Sequence, residues 1–265
     1  MIFYSEYQSI YLILPLIGFL LGLFGTMLGG GGGFFFLPVL TLIIGAPAQV
    51  AVPTSLTATL PIGLVGTIGH FRRGNVDFKT GKVFVLAGIV GALAGAAITG
   101  YISSKQLKIA FGVYSILIAL NMSFSTWKKK KCEVNGEELK ELSPLSRIFR
   151  GSFFGLFAGA ISGTFGTSGT APVMAGLFSM RLSLKMVVGT SLLIILINAM
   201  FAIGAHFLVG RIDLTLVGFL TSGSVVGALI GTRWLSRIKV AKAENNIRHV
   251  YALVMIVIGI LMILK

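Results

Sequence analysis

The sequence predicts an all-α integral membrane protein made of two homologous repeats. Three observations predict it. Charge is scarce: 55% of the 265 residues are apolar and 11% charged, with a mean hydropathy of +0.94, whereas soluble domains carry about 25% charged residues. The charge is also unevenly placed. Residues 7–71, 151–180 and 186–210 contain no Asp, Glu, Lys or Arg, and about 20 such residues suffice to cross a bilayer. Finally, the chain repeats itself. A shift of 136 lays Thr54, Ser55 and Leu56 on Thr190, Ser191 and Leu192, His70 on His206, Gly74 on Gly210, Asp77 on Asp213, and the GALAG at 91–95 on the GALIG at 227–231. Upstream a shift of 134 lays Gly29 on Gly163, Gly32 on Gly166 and Pro38 on Pro172. Residues 1–127 form the first membrane repeat, 128–150 a cytoplasmic linker and 151–265 the second repeat.

These features exclude an ordinary soluble enzyme. They also remove the nucleic-acid reading of a net charge of +14, because the basic residues are confined to loops between spans. The first apolar run has no basic stretch before it and no small-residue cleavage site after it, so it reads as a retained span rather than a signal peptide. Cys132 is the single cysteine. It excludes an internal disulfide and a cysteine metal cluster.

Taken in order, the apolar segments are 9–28, 34–46, 48–70, 83–101 and 109–127, then 151–165, 171–180, 186–209, 214–232 and 250–264. All read as helices, since lipid leaves only helices or closed barrels and period-two alternation is missing. The charged stretch at 128–150, with Glu133, Glu137, Glu138 and Glu141, reads as an exposed linker. Segments 34–46 and 171–180 rise only about 15–20 Å. If each continues the helix before it, the protein has 4+4 parallel spans, eight in all. If each returns separately, it has inverted 5+5 helices, with short broken helices at the Gly-rich segments. With the linker in the cytoplasm, the parallel arrangement puts 13 of the 22 Lys and Arg inside and 9 outside. The inverted one puts 18 inside and leaves Lys105, Lys108, Arg211 and Lys265 outside. The positive-inside bias favours inversion.

Inverted-repeat transporters bind substrate where matching helices are broken near the membrane centre. Here the breaks are Gly29, Gly30, Gly31, Gly32 and Gly33 in one half, and the run from Gly163 through Gly166, Thr167, Ser168, Gly169 and Thr170 to Pro172 in the other. A glycine run inside lipid needs its backbone held by protein, water or ligand. It lets amides point at an anion, and the helices that follow present their positive ends. Close helix packing also uses glycine, but at a spacing of four rather than in a run. Gly91 and Gly95, and Gly223, Gly227 and Gly231, have that spacing and read as packing seams.

Thr54, Ser55, Thr190 and Ser191 lie two turns into the next helix, where they either line the same cavity or bond back to their own helix. Asn198, opposite Ile62 in the other repeat, reads as a cavity polar residue or an interhelical hydrogen-bonding group. His70 and His206 read as a gating or protonatable pair, or more simply as interfacial histidines at helix C-termini. His249 reads as interfacial, and Asp77 and Asp213 as N-caps. None of the eight carboxylates falls inside a span. That disfavours an acidic cation pore and a carboxylate proton relay, and fits an anion path. There is no paired acid, histidine cluster or nucleophile with its base, so neither an enzyme nor a metal site is expected. A scaffold would tolerate bulk in the glycine runs.

Together, the run Gly29–Pro38 (GGGGGFFFLP), AVPTSL at 51–56, GHFRRGNVD at 69–77 and GALAG resemble the sulfite exporter TauE/SafE family, also called the toluene sulfonate uptake permease family. The second half departs from the pattern: GTSGTAP replaces the glycine-rich signature, and Leu208 and Val209 stand where Arg72 and Arg73 do. The resemblance implies a transporter of sulfite, sulfonates, sulfoacetate or similar small anions in the cytoplasmic (inner) membrane, with a small anion and the lipid bilayer as partners and no cofactor. The sequence reading is therefore a secondary transporter working by alternating access, with a passive anion channel as the alternative.

Overall fold

The computed structural model describes residues 1–27, 29–30, 32–132, 143–234 and 244–265. Among the described residues, ten helices follow one another. A 3-10 turn (Ser9–Ile13) leads into α1 (Leu14–Met27), and α2 (Gly33–Pro38) is prolonged by a π-turn (Val39–Ile43). Then come α3 (Ala48–Phe71), α4 (Phe78–Thr99), α5 (Ser104–Cys132), α6 (Pro144–Phe165), α7 (Thr170–Ser179), α8 (Leu184–Val209), α9 (Leu214–Trp234) and α10 (Glu244–Leu264). Two-residue strands β1 (Ile2–Phe3) and β2 (Ile212–Asp213) pair in parallel.

Among the described residues, six helices are long and apolar enough to cross a membrane: Ser9–Met27, Ala48–Phe71, Phe78–Thr99, Pro144–Phe165, Leu184–Leu208 and Leu214–Arg233. Gly33–Ile43, Thr170–Ser179 and Ala252–Leu264 are shorter. α4, α5, α6 and α10 start five to seven residues before their apolar segments, because hydropathy ends before helix propensity does. α5 continues through Cys132, since lysine is a good helix former, and α6 starts at Pro144 with Ser143 accepting from the Ser146 amide. Helix thus takes residues from both ends of the expected linker. Glu133, Glu137, Glu138 and Glu141 lie outside the described residues.

The breaks are turns built on left-handed glycines. Gly29 and Gly32 have φ of 72° and 68°, and Gly166 and Gly169 have 66° and 55°. This left-handed backbone favours glycine. Gly29 and Gly166, like Gly32 and Gly169, are 137 residues apart. The structural correspondence of the breaks is therefore 137, not the 134 expected from the glycine spelling, because reversal of direction, rather than residue type alone, fixes which glycines match. After its break, α7 folds back on α6. A Cβ on Gly169 would lie 2.3 Å from the Ala158 carbonyl oxygen, one on Gly176 would meet the Phe154 ring, and Arg150 Nη1 donates to the Ser179 carbonyl at 3.3 Å. α2 likewise starts against the middle of α1, with a Cβ on Gly32 placed 2.6 Å from the Leu21 carbonyl oxygen.

Long helices pack as α1 on α9, α4 on α6, α3 on α8 and α5 on α10, with α3 also on α9 and α4 on α8. Glycine makes the tightest of these contacts possible. On the α4–α6 seam a Cβ on Gly91 would sit 2.1 Å from Leu156 O, and one on Gly159 1.9 Å from Gly88 O. On the α1–α9 seam the corresponding distances are 2.2 Å for Gly18 to Leu220 O and 1.7 Å for Gly223 to Pro15 O. Backbone touches backbone, the contact that small residues permit in lipid, where no hydrophobic drive joins helices. Gly163, which the sequence places in the second glycine run, belongs to the α4–α6 seam, its Cβ position 2.2 Å from Ala92 O.

One end of the molecule carries the N-terminus. The Met1 ammonium donates to Gly210 O at 2.7 Å, and the Ile212 amide donates to Met1 O at 2.8 Å. Asp213 caps α9, accepting from the Thr215 and Leu216 amides at 3.0 and 3.3 Å, and also from the Ser5 amide at 3.3 Å.

Candidate functional site at the two glycine breaks

The two breaks meet inside the protein. Thr170 Oγ1 lies 2.9 Å from Gly30 O, and Ser168 Oγ is within hydrogen-bonding distance of both Gly30 O and Thr170 Oγ1, so the two hydroxyl protons serve two of these three contacts at a time. A Cβ on Gly33 would come within 3.2 Å of the Ser168 amide nitrogen and 2.6 Å of Thr59 Oγ1. Each break is also held by a serine from the opposite half. Ser191 Oγ donates to Gly29 O at 2.8 Å, and Ser55 Oγ donates to Gly166 O at 2.6 Å. The same serines lie 2.9 Å from Val188 O and 2.8 Å from Val52 O. Each of these hydroxyls is therefore near a carbonyl of its own helix and a carbonyl of a break at once.

Gly29, Gly30, Gly32, Gly33, Ser55, Gly166, Ser168, Gly169, Thr170 and Ser191 are thus brought together. Gly31 lies outside the described residues. Thr167 is also within the break and 1% exposed, and its Oγ1 has no hydrogen-bond partner among the described residues. Ser162, fully buried in the last turn of α6, likewise has an unpartnered Oγ. A buried hydroxyl without a partner costs about 1–3 kcal/mol, so these are donors with unspent capacity.

Thr54 and Thr190 do different work. Thr54 Oγ1 accepts from the Asp213 amide at 3.1 Å and Thr190 Oγ1 from the Asp77 amide at 2.9 Å. They tie α3 to the start of α9 and α8 to the start of α4. Asp77 in turn accepts from the Thr80 amide and hydroxyl at 3.1 and 2.7 Å, as an N-cap should. Asn198 is 1% exposed, with Oδ1 unpartnered among the described residues. It lies against Gly88 of α4, where a Cβ would fall 2.5 Å from Oδ1. That puts it on the α4–α8 contact.

His70 and His206 are each 1% exposed. The ends of α3 and α8 are covered by neighbouring elements: His70 packs on Gly189 beside the Asn75 carbonyl, and His206 Nε2 donates to Gly163 O at 2.8 Å. The carbonyl partner requires the proton on Nε2. Neither ring nitrogen of His70 has a hydrogen-bond partner among the described residues. The side chain of His249 lies outside the described residues.

Sequence reading missed one feature of the site, an aromatic cluster on its flank. Phe34 follows the first break and Phe165 precedes the second. Phe111 of α5 bridges them, with ring centroids 5.1 Å from Phe34 and 5.8 Å from Phe165, and Tyr114 stacks on Phe165 at 5.6 Å. Among apolar segments a phenylalanine carries no signal of its own; its place beside a glycine turn was the clue. Among the described residues, no three His, Cys, Asp or Glu side chains come together to hold a metal.

The site is therefore uncharged, built from backbone and hydroxyls at the meeting of two broken helices in a multi-pass membrane protein. The family described as Sulfite exporter TauE/SafE matches residues 14–262 of the chain. The protein belongs to this family. Its TauE/SafE relatives include the Probable membrane transporter protein YdhB of Bacillus subtilis, 30% identical over 225 residues that cover 84% of this chain and 89% of the relative. A Probable membrane transporter protein of Xylella fastidiosa is 26% identical, covering 94% and 91% of the two chains. One from Methanocaldococcus jannaschii, MJ0441, is 28% identical over 68% and 67%. No solved structure matches the chain.

Proposed function

We propose that the protein is a secondary transporter of small anions, sulfite or sulfonates, in the cytoplasmic membrane, and that its two halves are inverted repeats working by alternating access. The observation that carries this reading is the direct meeting of the two glycine breaks through Gly30, Ser168 and Thr170. An anion there would be bound by backbone amides, hydroxyls and the N-terminal end of α7. This hydroxyl pair is hydrogen-bonded to Gly30 O, directly or through one another, so the breaks are latched together. An entering oxyanion would take those donors and part the breaks. The unpartnered Thr167 and Ser162 hydroxyls supply further donors. His206 fastens α8 to Gly163, three residues before the turn, and is the better placed of the two histidines to couple helix movement to the break.

The cross-half contacts come in exchanged pairs, α1 on α9 with α6 on α4, Ser55 on Gly166 with Ser191 on Gly29, and Thr54 on Asp213 with Thr190 on Asp77, as two-fold-related halves of either orientation require. Two further observations support inversion. α7 turns back along α6, as a separately returning segment does. Arg72 and Arg233 line one cavity. Inverted halves put both on the cytoplasmic face, whereas parallel halves would put them on opposite faces.

Counterflow tests the transport reading. In proteoliposomes preloaded with unlabelled sulfite, labelled sulfite is expected to enter with a transient overshoot, to saturate, and to be slowed by sulfonates. Flux no greater than in empty vesicles for sulfite, sulfonates and sulfoacetate would overturn the substrate class. Non-saturating flux without overshoot would replace the transporter by a channel.

A further inference from the structure

A cavity of about 290 Å³ lies between α3 and α9, away from the glycine breaks. Its walls include Val65, Ile68 and Leu229, and its rim carries Arg72, Arg73 and Arg233. Among the described residues, no carboxylate lines it. The nearest acid in the loop, Asp77, is already bound to Thr80 through both oxygens. Ile68 and Leu229 are 43% and 44% exposed, and Leu64 and Ile230 beside them are exposed as well. The cavity is therefore apolar where it joins the outer surface of the helices and cationic at the helix ends.

We propose that this cavity is a binding site for an anionic phospholipid. The headgroup phosphate is held by Arg72, Arg73 and Arg233, and the upper acyl chain lies along Ile68 and Leu229. Two independent features select a lipid over a soluble anion. The apolar wall opens on the surface that faces hydrocarbon, and an arginine fork suits a phosphate diester at the membrane interface. The leaflet follows from the orientation proposed above, on which this clause alone rests: the cavity belongs to the cytoplasmic side, where anionic lipids meet basic pockets between helices. The amphipathic ligand fills the α3–α9 groove over Gly69, where a Cβ would approach Thr232 Cβ to 3.0 Å, and so holds together two helices whose other ends are joined through Thr54 and Asp213.

The test uses the full chain in detergent, titrated with phosphatidylglycerol, phosphatidylcholine or inorganic phosphate. Retained lipid is read by native mass spectrometry and stability by the thermal midpoint. Phosphatidylglycerol is expected to be retained and to raise the midpoint, and the other two are not. Arg72→Gln, Arg73→Gln and Arg233→Gln should each weaken its retention about fivefold, the equivalent of about 1 kcal/mol per arginine near an anionic headgroup. The triple variant should lose the preference while keeping its sulfite counterflow in vesicles of phosphatidylcholine alone. Equal retention of both lipids, undiminished phosphatidylglycerol retention by the variants, or full stabilisation by inorganic phosphate would overturn the proposal. So would a raised half-saturation for sulfite in the variants in phosphatidylcholine, which would assign the arginines to the substrate path. Wild type that prefers phosphatidylglycerol but moves no anion would sink the transport reading and leave the lipid site standing.

Discussion

Gly30→Leu is expected to leave the protein folded and to cut anion flux at least about 100-fold, the equivalent of about 2.7 kcal/mol. Among the described glycines of the breaks, Gly30 best separates site from packing. Its φ is not in the left-handed range, and its Cβ position meets Thr170 Cγ2 and Oγ1 only at 3.5 and 3.6 Å, ordinary contact. The neighbouring glycines are constrained for structural reasons. Gly32 and Gly169 need positive φ and face carbonyls at 2.6 and 2.3 Å, and Gly29 has Val188 Cα at 2.9 Å. Substituting those would confuse strain with loss of function, at about 1–2 kcal/mol for the backbone alone. Bulk at Gly30 instead occupies the space between the Ser168 and Thr170 hydroxyls and the opposite break. Gly30→Ala provides the milder arm, with monodisperse protein, a thermal midpoint close to wild type and an intermediate flux. Full flux in a folded Gly30→Leu protein would remove the glycine breaks from the substrate path.

The second large effect falls on the helix seams. Gly159→Leu is expected to prevent recovery of monodisperse protein, and Gly159→Ala to destabilise it by about 3 kcal/mol, the upper range for overpacking a close contact. At Gly159 the obstacle is the Gly88 carbonyl oxygen, 1.9 Å from the Cβ position, with the Ala92 amide nitrogen at 2.9 Å. Backbone cannot swing aside as a side chain can, so α4 and α6 must separate along the seam. Gly204 and Gly218 provide the internal control. They too are helical glycines, but nothing lies within 4 Å of either Cβ position, and Gly218→Leu should change the stability by less than about 0.5 kcal/mol. Size-exclusion chromatography with a fluorescent tag separates the outcomes before any transport is measured.

Much of this architecture is legible in the sequence because lipid permits so little. Long uncharged runs must be helices, so α3, α8 and α9 start within two residues of the apolar segments that predict them. The breaks are legible for the same reason, since five adjacent glycines have no place in a straight span. Their register is not. The spelling of the second run suggests that Gly166 matches Gly32, but Gly166 is where α6 ends in the left-handed conformation, the role Gly29 takes after α1. Hydropathy has no term for a change of chain direction. Nor does it separate Thr54 from Ser55. The two are adjacent on one helix, yet a rotation of about 100° turns one hydroxyl to the Asp213 amide and the other to the Gly166 carbonyl. Histidines at a predicted helix end look interfacial until the neighbours that cover them are known. His206 becomes interior because the Gly163 carbonyl meets it.

The claim on which the rest depends is that the two halves are inverted, for only then do their breaks approach the same depth from opposite faces. Single-cysteine accessibility tests it most directly. After Cys132→Ser, a cysteine is introduced at Lys105 and, separately, at Arg233, and each is challenged in intact cells with a membrane-impermeant thiol reagent. Inversion predicts that Lys105→Cys is labelled from outside and that Arg233→Cys is labelled only after the membrane is permeabilised. Labelling of both from the same side would contradict it and return the protein to parallel halves.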